Sequence, residues 1–296
     1  MNEFLQQLLN GLALGAIYAL IALGYTMVYG VLRFINFAHA DVFMVGAFVG
    51  NYLGQRVPAG TFWGTALVLL GAMAVCALLG VIIERLAYRP LRDCPTLNVL
   101  ITAIGVSLLL EYSGQVIFGA APQAFPSVLP TYEFHFGSLE ISSNQVVVIA
   151  LSVVLLIGLR LFVQRTKIGL AMRAVSLNRQ AAQLVGVNPN VVIACTFAIG
   201  SALAGAAGVL YASNYPSIDP LMGVMPGLKA FVAAVLGGIG NIPGAALGGL
   251  LLGVIETFVG GSQFSTYKDA IAFGVLIAIL LFRPAGLLGR ATVEKV

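Results

Sequence analysis

The sequence predicts an all-α polytopic membrane protein with about eight to nine transmembrane helices. Three observations carry that prediction. Of the 296 residues, 59% are hydrophobic and 9% charged, with a mean hydropathy of +0.99, more apolar surface than a soluble core uses. The apolar runs are continuous and near the ~20 residues that cross ~30 Å of hydrocarbon, unlike the short alternating segments of a β-barrel. The basic residues gather in a few segments between those runs, as they do in cytoplasmic loops.

Taken in order, the first run is 5–31. It follows MNEFLQQLLN, which holds no basic residue, and no small-residue cleavage site follows a short apolar core. This predicts a retained span rather than a cleaved signal peptide. The next runs are 36–54, 61–83, 97–118, 144–163 and 191–211. Runs 225–238 and 244–260 are short and Gly-rich, and GGIGNIPG (237–244) separates them. They predict either a short helical hairpin or a re-entrant pair. The last run is 267–283. GLALGAIYALIALG and GSALAGAAGV place Gly and Ala at four-residue spacing, which lets membrane helices approach closely. Residues 1–296 read as a single transmembrane domain with a polar loop at about 164–190.

Charge sets the orientation. Arg85, Arg89, Arg92, Arg165, Lys167, Arg173, Arg179, Arg290 and Lys295 fall in the segments 84–93, 164–190 and 284–296, and Arg33, Arg160 and Arg283 adjoin the same side. Segments 119–143 and 212–224 hold neither Lys nor Arg. Only Arg56 and Lys268 fall opposite, while Lys229 sits inside an apolar run. The basic side is the cytoplasm, so nine crossings put the N-terminus outside and the C-terminus inside. The net charge of +4 has this membrane explanation and points to no nucleic-acid partner.

Several chemistries find no support. There is no GxxxxGK[ST] phosphate loop, no HExxH and no GxSxG. Cys76, Cys94 and Cys195 are scattered and form no CxxC pair. His39 and His135 fall in different regions on opposite expected sides, so no metal site is predicted. Asp41, Glu84, Glu111 and Glu256 form no acidic ladder, which argues against a proton-driven carrier.

Polar residues within the apolar runs are the candidate pathway or gate positions. In RFINFAHADVFMVGAF (33–48), Asn36 suits a helix N-cap, with His39 and Asp41 near the positive end of the helix dipole. That start serves either structure alone or a gate, since a half-helix can face a transport cavity. Gly238 and Asn241 belong either to a tight turn or to an interrupted helix lining a pathway. Lys229 snorkels, pairs with a carboxylate, or meets a substrate carboxylate. In 164–190, NRQAAQLV predicts a short helix started by Asn178 and ended by Gly186, with an apolar side of Ala181, Leu184 and Val185. That helix either lies on the membrane or the bundle, or inserts into a soluble partner.

QAAQLVG (180–186) resembles the E-A-A-x-x-x-G motif of ABC importer permeases, with Gln180 where the pattern has Glu. Further blocks, in order, resemble the branched-chain amino acid ABC permease family of the LivH type. They are NGLALGAIYALIALGYTMVYGVLRFINFAHADVFMVGAF, IERLAYRPLR (83–92), AMRAVSLNRQAAQLVGVN (171–188), GLKAFVAAVLGGIGNIPGAALGGLLLGVIE (227–256) and RPAGLLGR (283–290), covering most of residues 10–290. The resemblance implies an ABC importer permease fold in the bacterial inner membrane and a transport subunit with no ATPase site or cofactor of its own. Two LivG/LivF-like ATPase subunits would bind ATP at the cytoplasmic face, and Gln180, Ala181, Ala182 and Gly186 would sit in the cleft of an ATPase subunit, with Arg173 and Arg179 as charged contacts. A LivM-like second permease would complete the membrane part, and a periplasmic binding protein would deliver leucine, isoleucine or valine. Related permeases move urea, short amides or other neutral amino acids, so these remain alternative substrates. A stand-alone secondary carrier or channel is the alternative of a different class.

Overall fold

The computed structural model describes residues 2–58, 60–92, 94–129, 132–136, 139–283 and 285–289. Each of the nine predicted apolar runs becomes a helix. They are α1 (Asn2–Leu32), α2 (His39–Gly54), α3 (Phe62–Ile83), α4 (Thr96–Phe118), α5 (Ser143–Arg165), α8 (Pro189–Asn214), α9 (Val224–Gly237), α10 (Ile242–Gly260) and α11 (Lys268–Phe282). α3 runs on into a π-helical turn at Glu84–Tyr88 and a 3-10 turn at Arg89–Leu91, where Pro90 ends it. Seven of the nine are long and apolar enough to cross a membrane. The other two are α2, with 16 residues, and α9, with 14. The run at 244–260, expected to be short, belongs to the 19-residue α10.

The polar loop folds into two helices rather than one, α6 (Lys167–Leu177) and α7 (Arg179–Leu184). Four short strands were not expected: β1 (Gln123–Ala124), β2 (Glu133–Phe136), β3 (Leu139–Ser142) and β4 (Ser217–Ile218). β2 and β3 form a hairpin with Glu133 opposite Ser142, and β1 pairs antiparallel with β4, Gln123 opposite Ile218. These pieces are too short to show a period-2 pattern.

Small residues decide which helices form the centre. α1 lies against α10, where a methyl added at Gly15 would sit 2.7 Å from the Leu250 Cα. α2 lies against α8, where one added at Gly46 would sit 2.5 Å from the Gly205 Cα. Close backbone approach gives van der Waals contact that lipid cannot supply. Within their most apolar stretches, α1 is 89% buried, α4 11% and α11 6%, so α4 and α11 form the periphery.

The loops sort into two ends. At one, the Gln6 side chain donates to the Glu140 carbonyl at 2.8 Å, close in the chain to the paired β2–β3. At the other, Arg92 donates to Asn190 Oδ1 at 2.5 Å, and Asn241 Nδ2 donates to the Leu288 carbonyl at 2.7 Å. Following the helices in order, Arg33, Arg85, Arg89, Arg92, Arg160, Arg165, Lys167, Arg173, Arg179 and Arg283 share this second end. Arg290 and Lys295 lie outside the described residues.

Candidate functional site

The two-helix loop is built by local caps. Thr166 Oγ1 accepts the Gly169 N–H at 3.0 Å and starts α6, which buries Gly169, Met172 and Val175 and leaves Arg173 exposed. Asn178 Oδ1 accepts the Ala181 N–H at 2.9 Å and starts α7, as expected. Gly186 ends α7 at φ +86. Its N–H reaches the Gln183 carbonyl at 3.0 Å, and the Val187 N–H reaches the Ala182 carbonyl at 3.0 Å, a Schellman pair. Asn188 then caps α8 by accepting the Asn190 N–H at 3.0 Å. The inward contact of α7 is Ala182, whereas Ala181, Leu184 (89% exposed) and Val185 (78% exposed) face outward with Gln180. With only six residues, α7 has room for one inward residue at its middle.

Beside this loop, Arg92 forms an ion pair with Glu84 and reaches Asn190 at the start of α8. Burial pulls the Arg92 guanidinium below its ordinary value, and the Glu84 carboxylate opposes that shift. The end of α3 is thereby tied to the segment that follows α7.

Asn36 is not an N-cap, contrary to expectation. The cap position of α2 is Ala38, with no side-chain cap, and the His39 N–H reaches the Asn36 backbone carbonyl at 3.2 Å instead. The Asn36 side chain accepts from the Tyr88 hydroxyl at 2.5 Å. Both residues are buried, so each needs the other to satisfy a polar group away from water. His39 is buried with its ring 4.8 Å from that of Tyr25, in space left by the missing side chain of Gly24. Asp41, in the first turn of α2, accepts from Ser107 Oγ at 2.5 Å. Asn36, His39 and Asp41 thus lock α2 to α1, α4 and the end of α3, each through a different neighbour.

Gly238 and Asn241 form a turn between the antiparallel α9 and α10. Gly238 takes φ +103 at the end of α9 and is buried against Gly289. Asn241 Oδ1 accepts the Gly244 N–H at 3.3 Å and caps α10. The tail closes over this turn, with the Leu287 and Leu288 N–H groups bonded to the Leu236 and Gly237 carbonyls at 2.8 and 3.0 Å.

Lys229 lies apart from that turn and is paired. Its Nζ is 2.6 Å from Glu256 Oε1 and 2.6 Å from Asp269 Oδ1, and the Tyr18 hydroxyl donates to Glu256 Oε2 at 2.9 Å. This cluster, buried except for the partly exposed Asp269, joins α1, α9, α10 and α11. Sequence reasoning missed it as a unit. The available signal was that Lys229 and Glu256 are the single charges of two neighbouring apolar helices. It also missed Tyr88 and Ser107, which carry no local signal. The candidate residues therefore form separate groups: one outward loop, the α9–α10 turn at the same end, and two interior locks around Asn36–Asp41 and Lys229.

Residues 7–280 match the family described as branched-chain amino acid transport system, permease component. The chain is 45% identical over 303 residues to the high-affinity branched-chain amino acid transport system permease protein BraD of Pseudomonas aeruginosa, covering 99% of this chain and 98% of that protein. It is 42% identical over 302 residues to LivH of Escherichia coli (strain K12), a permease protein of the same description, with the same coverage. It is also 27% identical over 292 residues to LivM of Escherichia coli (strain K12), covering 92% of this chain and 68% of that protein.

Proposed function

The chain belongs to the branched-chain amino acid transport permease family, and on that premise we propose that it is a permease subunit of an ATP-driven importer of leucine, isoleucine and valine. The observation that carries the coupling reading is α7. It is a short helix, capped at both ends, and it presents Gln180, Ala181, Leu184 and Val185 outward at the basic end of the molecule. An exposed apolar tip at the basic end suits a cleft in a soluble protein better than open water. One of the two ATPase subunits seats there, with Arg173 and Arg179 as charged contacts at the rim. ATP is bound by those subunits, and this chain carries no cofactor of its own.

A LivM-like chain is the second permease, a periplasmic binding protein delivers the amino acid, and the basic end faces the cytoplasm. The likeness to both LivH and LivM supports the pairing. Alternating access follows when the ATPases move α6 and α7, since the Glu84–Arg92–Asn190 links carry that movement to α3 and α8. Asn36, His39, Asp41, Lys229, Gly238 and Asn241 act on the pathway by holding helices in register. Recognition rests with the binding protein, so the pathway needs no high-affinity side-chain site. Uptake of labelled leucine by the reconstituted five-part complex tests this reading. Unlabelled leucine, isoleucine and valine should each compete, and urea and acetamide should not. Uptake of labelled urea or acetamide with none of labelled leucine would replace the substrate class while keeping the importer.

A further inference from the structure

At the basic end, a cavity of about 970 Å3 lies between the ends of α1 and α5, the helix α6, and the turn joining α9 to α10. Arg33, Arg160 and Arg173 line it, from three different elements, and among the described residues no carboxylate does. Three like charges around one space repel each other unless an anion lies among them. Arg173 is held in place by a bond to the Gln164 carbonyl at 3.4 Å, and Arg33 and Arg160 have no acidic partner among the described residues. Arg33 also has φ +57, a positive φ that among the described residues is otherwise confined to glycine. A side chain in that region costs about 1–2 kcal/mol and persists where the surroundings hold it. Ser176 and Gln164 add neutral hydrogen-bonding groups, and Gly30 and Gly240 leave space around the turn.

We propose that this cavity binds a phosphate group, carried by an anionic phospholipid headgroup or free in solution. The guanidinium fork matches phosphate oxygens in pairs, and three exposed forks around one open cavity, each from a separate element, distinguish a site from a scattered basic surface. The volume is that of a small-molecule site rather than of one ion. A lipid has a route in, because α5 contributes Arg160, Val163 and Gln164 and most of its own surface is not buried within the chain. The lipid source rests on the orientation given above, since anionic headgroups concentrate at the cytoplasmic leaflet. The phosphate chemistry does not rest on it.

The test uses the purified full chain and the double variant Arg33→Gln/Arg160→Gln. In nanodiscs, retention of phosphatidylglycerol over phosphatidylcholine is measured by lipid exchange. In zwitterionic detergent, inorganic phosphate is titrated and the melting temperature followed. Preferred phosphatidylglycerol retention that falls about tenfold in the variant identifies the headgroup as the source. A phosphate-dependent rise in melting temperature that the variant loses identifies free phosphate. Arg160→Lys keeps the charge, and it should keep more binding than the double variant, which separates loss of the site from loss of folding. Equal retention of both lipids with no phosphate effect in the unsubstituted chain overturns the proposal. So does binding of either probe at full strength in the double variant. Leucine uptake is scored separately, so failure here is distinguishable from failure of the transport reading.

Discussion

Lys229 shows what a buried charge does in this molecule. Its ammonium bridges Glu256 and Asp269, and Tyr18 satisfies the second oxygen of Glu256. Removing one partner strands the others, a loss of about 3–5 kcal/mol in comparable buried pairs. Lys229→Met is therefore expected to lower the melting temperature of the purified chain markedly. Lys229→Met/Glu256→Gln should recover much of the loss, because the stranded carboxylate becomes neutral. A single variant as stable as the parent would show that the cluster is not a lock. Asn36 makes the same point from the other side. Its residue type suited an N-cap, yet its carboxamide serves Tyr88, because a buried hydroxyl without a partner costs about 1–3 kcal/mol while a helix start can be closed by the backbone alone.

At the scale of elements, α7 is where local chemistry and function meet. Both of its ends were legible, since Asn178 and Gly186 act on backbone groups within four residues of themselves. Which of its faces is free was not, because that depends on how α6 and α8 hold it. Gly186 tests the element. A side chain there meets nothing within 4 Å, so any effect arises from the backbone at φ +86, at about 1–2 kcal/mol. Gly186→Val should tilt or fray α7, cutting leucine uptake by about tenfold while the amount of chain in the membrane stays unchanged. ATP hydrolysis by the complex should then lose its response to the loaded binding protein. Normal stimulated uptake would remove α7 from the coupling role. The shortness of α2 and α9 was partly legible: the turn at Gly238 punctuated α9, whereas the residues before His39 read as helix and are not.

For the whole molecule, the two sets of loops imply an orientation that a reporter can read. A phosphatase reporter, active only outside the cytoplasm, should be active when fused after residue 129 and inactive when fused after residue 187. The reverse result would invert the chain and move α7 away from the ATPases. That the chain is helical and membrane-embedded, how many apolar runs it has, where its basic end lies and which family it resembles are all legible in the order of its residues. Those are properties of segment length, composition and short motifs, each set by neighbours in the chain. Which buried polar groups meet is set by the packed fold. Lys229 and Glu256 are 27 residues apart, Asn36 and Tyr88 are 52, and Asp41 and Ser107 are 66. It alone also brought Arg33, Arg160 and Arg173 around one cavity. In an apolar interior a polar group must find whatever partner helix packing brings to it, and that packing is set by contacts between distant segments.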